Sequence, residues 1–163
     1  MQINNDIILN VESDSNELQK IIKDIVDKYA KELDEYMAKI KMVLTNPDDN
    51  LTDNELNKIM ITLCSYAYFL STEVETVGVR QDISDAIRSE KYNLAFMQST
   101  GTVEFKKNQA ESLVKEEDVV SLIYSRSYKM LKGKMDNTIR MSDAIKKIIS
   151  NRIKVMELSL KSV

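Results

Sequence analysis

The sequence predicts an all-α protein, an elongated and oligomeric bundle of long helices, and three observations carry that expectation. Glycine occurs only at positions 78, 101 and 133 and proline only at 47 in a chain of 163 residues, so the residues that interrupt helices are scarce. Leu, Ile, Lys, Glu, Met and Ala dominate instead, a helix-forming palette. Apolar residues recur at three- and four-residue spacing through most of the chain, the period of an amphipathic helix. This length suits one domain with a real core, placed at residues 13–163 behind an N-terminal arm.

Residues 1–12 alternate apolar and polar at Ile7, Leu9 and Val11, a strand-like pattern too short to bury anything alone, and read as a flexible or docking arm. A helix over 14–44 follows. Ser13, Asp14 and Ser15 offer N-caps, Asp14 and Glu17 have capping-box spacing, and apolar residues then run from Leu18 to Leu44 at helical intervals. The stretch "TNPDDN" at 45–50 ends it, because Pro47 cannot continue a helix. Thr52 and Glu55 make a second capping box for a helix over 52–98, with Leu56, Ile59, Met60, Leu63, Ala67, Leu70, Val74 and Val77 on one face. Gly78 is a candidate kink, and Ile83, Ile87 and Leu94 keep the spacing beyond it. Gly101 and Thr102 mark the next boundary. From 103 to 160 the pattern reads either as one very long helix or as two that break at Gly133. A helix of ~28 residues is already ~42 Å long, hence the expectation of an elongated bundle with apolar stripes shared between subunits.

The composition argues against catalysis. Histidine is absent, which removes the commonest general base and metal ligand, and three widely spaced glycines assemble no phosphate-binding loop. Carboxylates such as Glu73 and Glu75, or Glu116, Glu117 and Asp118, are oxygen ligands of the type Mg²⁺ takes, but on polar helix faces they read first as solvated. Cys64 lies in the most apolar run, "IMITLCSYAYFLS" at 59–71, and reads as a small buried hydrophobe. That run is shorter than the ~20 residues a bilayer-spanning helix needs, so it reads as a buried helix. The start "MQINNDIILNVE" lacks the pattern of a targeting segment, and a lone cysteine suits a reducing compartment. The expectation is a cytoplasmic, non-enzymatic protein that needs no metal or cofactor and touches no membrane.

Charge placement is the more informative signal. The net charge of −3 divides unevenly: residues 1–119 carry 13 Lys or Arg against 23 Asp or Glu, and residues 120–163 carry 10 against 3. Such asymmetry points to an anionic partner, or to acidic and basic faces that meet between subunits. Arg126, Arg140, Lys147, Lys154 and Lys161 share one seven-residue register, interrupted at Gly133. Asp136, Asp143 and Glu157 precede Arg140, Lys147 and Lys161 by four residues, an arrangement that an exposed helix face shows without any ligand. The stretch "SRSYKMLKGK" at 125–134 is different. Its bases Arg126, Lys129, Lys132 and Lys134 lack acids within helical reach, apart from Asp136 beyond Lys132. Tyr124 and Tyr128 interleave with them, and bases with aromatics are the materials of single-stranded nucleic-acid binding. Equally, both tyrosines precede Leu131 and Met135 by seven residues, which would pack the rings in the core.

The segment "VVSLIYSRSYKMLKGKMDNTIRMSDAIKKIISNRIKVMEL" resembles the C-terminal helices of phage recombination mediators of the UvsY type. A tyrosine-bearing helix leads into "MSDAIKKIISNRI", with Asp143, Ala144 and Ile145 followed by a basic pair and then Arg152. The resemblance covers about the last third of the chain, and the acidic remainder matches no motif of that family. It implies a small helical homo-oligomer that binds single-stranded DNA and helps a recombinase replace single-strand-binding protein in the bacterial host. The strand contacts it implies are Arg126, Lys129, Lys132 and Lys134, then Arg140, Lys146 and Lys147, with Tyr128 as the stacking candidate. The competing expectation is a helical protein-interaction module, a phage inhibitor or adaptor of a host protein, acting through the acidic face.

Overall fold

The computed structural model describes residues 5–45 and 51–161, with side chains described at 13–41 and 51–161. The described residues form four helices, α1 (Asn5–Thr45), α2 (Asp53–Gln98), α3 (Val103–Leu113) and α4 (Lys115–Lys161). None of them lies in a strand, so the chain is all-α.

The helix ends correct the sequence reading in several places. Helix α1 starts at Asn5, so Ile7, Leu9 and Val11 of the expected arm are helical, while residues 1–4 lie outside the described residues. Asp14 and Glu17 fall inside the helix, where Ser15 Oγ accepts a hydrogen bond from Gln19 Nε2 at 3.2 Å. The cause is cooperativity: once a helix is nucleated, each further residue adds a hydrogen bond at the cost of ordering one residue, and a lone cap-forming side chain does not stop it. The turn expected around Pro47 falls on residues 46–50, outside the described residues.

Helix α2 begins as its capping box requires. Thr52 N–H donates to Glu55 Oε2 at 2.8 Å, and Glu55 N–H donates back to Thr52 Oγ1 at 3.3 Å. The helix then runs through Gly78 without interruption. A methyl group there would lie 3.3 Å from Cε2 of Tyr128, so the glycine makes room for a ring and introduces no kink. Gly101, at φ 115°, turns the chain after α2 in a conformation that side chains resist. Thr102 then caps α3 by accepting from Phe105 N–H at 3.3 Å.

Of the two alternatives for 103–160, neither one long helix nor a break at Gly133 is found: the break lies at Val114, whose φ of −105° and ψ of 12° leave helical geometry, and α4 is continuous through Gly133. Val114 is fully buried, and Glu116, Glu117 and Asp118 occupy the first turn of α4. Acids are stabilised at a helix N-terminus by the dipole, which favours a fresh start there. The glycine costs α4 some propensity, but not enough to break it.

The chain divides into two compact units, residues 1–28 with 74–130 and residues 29–73 with 131–163. In the second unit Ile40, Leu56, Leu63 and Ile145 form a cluster, with Tyr36, Met37, Leu51, Ile59, Met60, Met141 and Ile149 packed against it. Buried positions step by seven residues, Leu33 to Ile40 on α1, Leu56 to Leu63 to Leu70 on α2, and Leu131 to Thr138 to Ile145 on α4. That is the seam of coiled-coil-like packing. Arg152 meets Asp53 and Ser142 meets Cys64, so α4 runs antiparallel to α2 here. Each large apolar side chain buried in this way stabilises the fold by about 1.5–3 kcal/mol.

In the first unit the buried side chains are mostly small: Val26, Val74, Val77, Ser84, Ala95, Ser99, Ala110, Val114 and Ser127. Arg88 pairs with Asp118, and Lys91 Nζ donates to Glu117 Oε1 at 2.7 Å. These pairs again set α2 and α4 antiparallel. Buried hydroxyls are satisfied locally, as where Ser127 Oγ donates to the Ile123 carbonyl at 2.8 Å.

The apolar run at 59–71 is half-buried, not fully buried. Leu63, Ala67 and Leu70 face the core, whereas Ile61, Tyr68 and Phe69 are exposed. No described helix is long and apolar enough to cross a membrane. Cys64 also departs from its expected burial: it is exposed, with Sγ 3.2 Å from Ser142 Oγ.

Candidate nucleic-acid interface

The sequence-derived site residues fall into both units. Arg126, Tyr128 and Lys129 belong to the first, and Lys132, Lys134, Arg140, Lys146 and Lys147 to the second.

In the first unit the inward positions of α4 near this stretch include Ser127, which is fully buried, and this turns Arg126 and Lys129 outward on either side of it. Both are exposed, and neither makes an ion pair with a described residue. The Arg126 side chain lines a groove of about 1010 Å³ together with Lys20 and Lys23 of α1. Leu18, Ile22, Leu122 and Met130 give this groove an apolar floor, and Asp14 also lines it. Three cations over apolar side chains can hold a phosphate backbone while bases lie on the nonpolar surface.

Tyr128 is not presented as a free stacking platform. It is half-buried, with its ring edge toward the open side of Gly78 on α2. The acids at 116–118 are also largely committed. A hydrogen bond from Lys91 holds the Glu117 carboxyl below the usual carboxylate range, and the hydrogen bond to Asp118 raises the Arg88 guanidinium above its ordinary value.

In the second unit Lys134 is spent inside the fold, since its Nζ donates to Asp34 Oδ2 of α1 at 2.7 Å. Its expectation as an uncompensated base is therefore corrected: the acid it lacked along its own helix is supplied by another. Lys132, Arg140, Lys146 and Lys147 are exposed. The i,i+4 acids ahead of Arg140 and Lys147 form no ion pair with them among the described residues. Pairs of that kind are worth only ~0.2–0.5 kcal/mol, too little to hold two long solvated side chains together. Arg152, which the resemblance includes in its motif but not among its strand contacts, donates to the Leu51 carbonyl at 2.7 Å and to Asp53 at 3.0 Å, tying α4 to the start of α2.

Sequence reasoning missed Lys20 and Lys23. Their signal was present: two bases three residues apart, next to the apolar positions 18 and 22 of α1, within a helix whose overall acidity concealed them. No protein-family model, curated protein or solved structure matches the chain.

Proposed function

We propose that the chain is a non-catalytic, homo-oligomeric accessory protein of phage recombination, which holds single-stranded DNA in the cytoplasm of a bacterial host and assists recombinase loading against single-strand-binding protein. The observation that carries this reading is the groove of the first unit, where Arg126 stands with Lys20 and Lys23 over Leu122 and Met130, with Lys129 one turn beyond Arg126. Exposed Lys132, Arg140, Lys146 and Lys147 in the second unit add further phosphate contacts. The resemblance of the last third of the chain to mediators of the UvsY type supplies the recombination setting.

Because the grip is electrostatic, affinity should fall steeply with salt, by about 0.7 in log–log slope for each phosphate neutralised on a single strand. Fluorescence anisotropy with a labelled oligonucleotide tests it. Arg126→Ala and Lys129→Ala should each weaken binding and flatten that slope by about 0.7, whereas Lys134→Ala should leave the slope unchanged. Absence of binding at micromolar protein in low salt overturns the reading.

A further inference from the structure

In the second unit the outer face of α2 carries Ile61, Tyr68 and Phe69, which are 62%, 72% and 68% exposed. With Met60, Cys64 and Ser65 they line a groove of about 370 Å³. The Tyr68 and Phe69 rings lie 5.5 Å apart, centroid to centroid, with their planes at 76° to one another. In such an edge-to-face pair each ring covers little of the other, and ring faces stay open to solvent. Cations stand at one end of the groove. Ser142 of α4 meets Cys64 at 3.2 Å and Arg152 meets Asp53 at 3.0 Å, so ten residues of α4 span eleven of α2 in the opposite direction. Lys146, one turn past Ser142 on the same side of α4, is therefore level with Met60. Lys58 precedes Ile61 by three residues and Ser65 by seven, which puts it on the face of α2 that bears the groove. Both lysines are exposed. Glu75, seven residues beyond Tyr68, stands at the other end, so the charge along the groove runs from positive to negative.

We infer that this groove is a second contact for the single strand, in which Tyr68 and Phe69 stack on bases while Lys146 and Lys58 hold phosphates at its positive end. The inference rests on the DNA-binding reading and deepens it. Without these rings the exposed bases of α4 in this unit hold a phosphate backbone and leave the nucleobases no surface. Open aromatic faces beside cations suit a strand whose bases are unpaired, because every base presents a flat face to stack. A partner helix calls for an apolar stripe continued over several turns. Here the positions that follow Ile61 and Tyr68 on the same face are Thr72 and Glu75.

Cys64, the one cysteine of the chain, lines the groove and is exposed, so its rate of alkylation by iodoacetamide reports occupancy in the unaltered protein. A single-stranded oligonucleotide at ten times its dissociation constant should slow that reaction about tenfold. Tyr68→Ala and Phe69→Ala, checked for helix content by circular dichroism, should each weaken binding about fivefold or more. Neither removes a charge, so both should keep the wild-type salt slope, whereas Lys146→Ala should flatten it by about 0.7. If Cys64 reacts at its free rate while anisotropy shows the strand bound, this inference falls and the DNA-binding reading stands. If no strand binds at all, both fall. Aromatic variants that bind as tightly as wild type also overturn the inference. So does a Cys64 reactivity that drops with protein concentration in the absence of any strand, since the groove is then covered by a second copy.

Discussion

A methyl group added at Gly133 meets no atom within 4 Å, whereas one added at Gly78 meets the Tyr128 ring at 3.3 Å. Both residues lie within unbroken helices, so the backbone gain on replacing glycine by alanine is the same at each, about 0.5–1 kcal/mol. The surroundings decide the difference. Gly133→Ala should stabilise by that amount, while Gly78→Ala should lose at least as much again to crowding of a stiff ring. Urea denaturation of the two variants measures this directly, and a Gly78→Ala protein as stable as Gly133→Ala would show that Tyr128 does not rest where the structure places it. A second residue-scale lesson concerns Lys134. Along its own helix it looks uncompensated, yet Asp34 answers it from one hundred residues away. Arg126 and Lys129 look the same in sequence and remain unanswered among the described residues. No local pattern separates these cases, because the deciding acid lies on a different helix.

At the scale of an element, the start of α2 shows how a cap couples to pH. The Thr52 backbone N–H donates to the Glu55 carboxylate and holds its pKa below the ordinary carboxyl value of 4.5. A carboxyl whose folded value is depressed contributes stability in full above its unfolded value and loses it as pH falls through the folded one. Glu55→Gln keeps a side-chain acceptor for the capping box but not the charge. The variant should therefore trail wild type at neutral pH, with the gap closing as pH drops below 4.5 in chemical denaturation. A gap that stays constant with pH would show that the cap does not depend on the charge. This cap was legible in the sequence because both halves of the box lie within four residues, and the heptad steps Leu56, Leu63 and Leu70 were legible for the same reason. The inner face of α4 was not. Ile139 is exposed there, while its neighbours Thr138 and Ser142 are buried, so a count of apolar residues alone does not find the face. Short hydroxyl side chains can take inward positions because they bond within their own helix, as Thr138 does to the Lys134 carbonyl at 2.8 Å. The α3 to α4 break was signalled by three successive acids, but those acids suggested a solvated face before they suggested a helix start.

For the whole molecule, the division into an acidic first 119 residues and a basic remainder does not survive folding as a division of surface. Helix α4 packs against earlier helices in each unit, so Lys134 meets Asp34 and Arg152 meets Asp53, each a base of the remainder beside an acid of the acidic part. With a net charge of −3, any hold on an anionic strand has to come from local clusters such as that around Arg126. A local cluster of few cations binds weakly alone, and strength then comes from engaging several copies on one strand, where the second contact is intramolecular. Strand length is then the readout. A long oligonucleotide should be held at least about tenfold more tightly than one too short to reach two copies, and Arg126→Ala should weaken binding to both. Anisotropy titrations with the two strand lengths measure this. If the long strand is held no more tightly than the short one, each copy binds independently, and the cluster in a single chain accounts for the whole affinity.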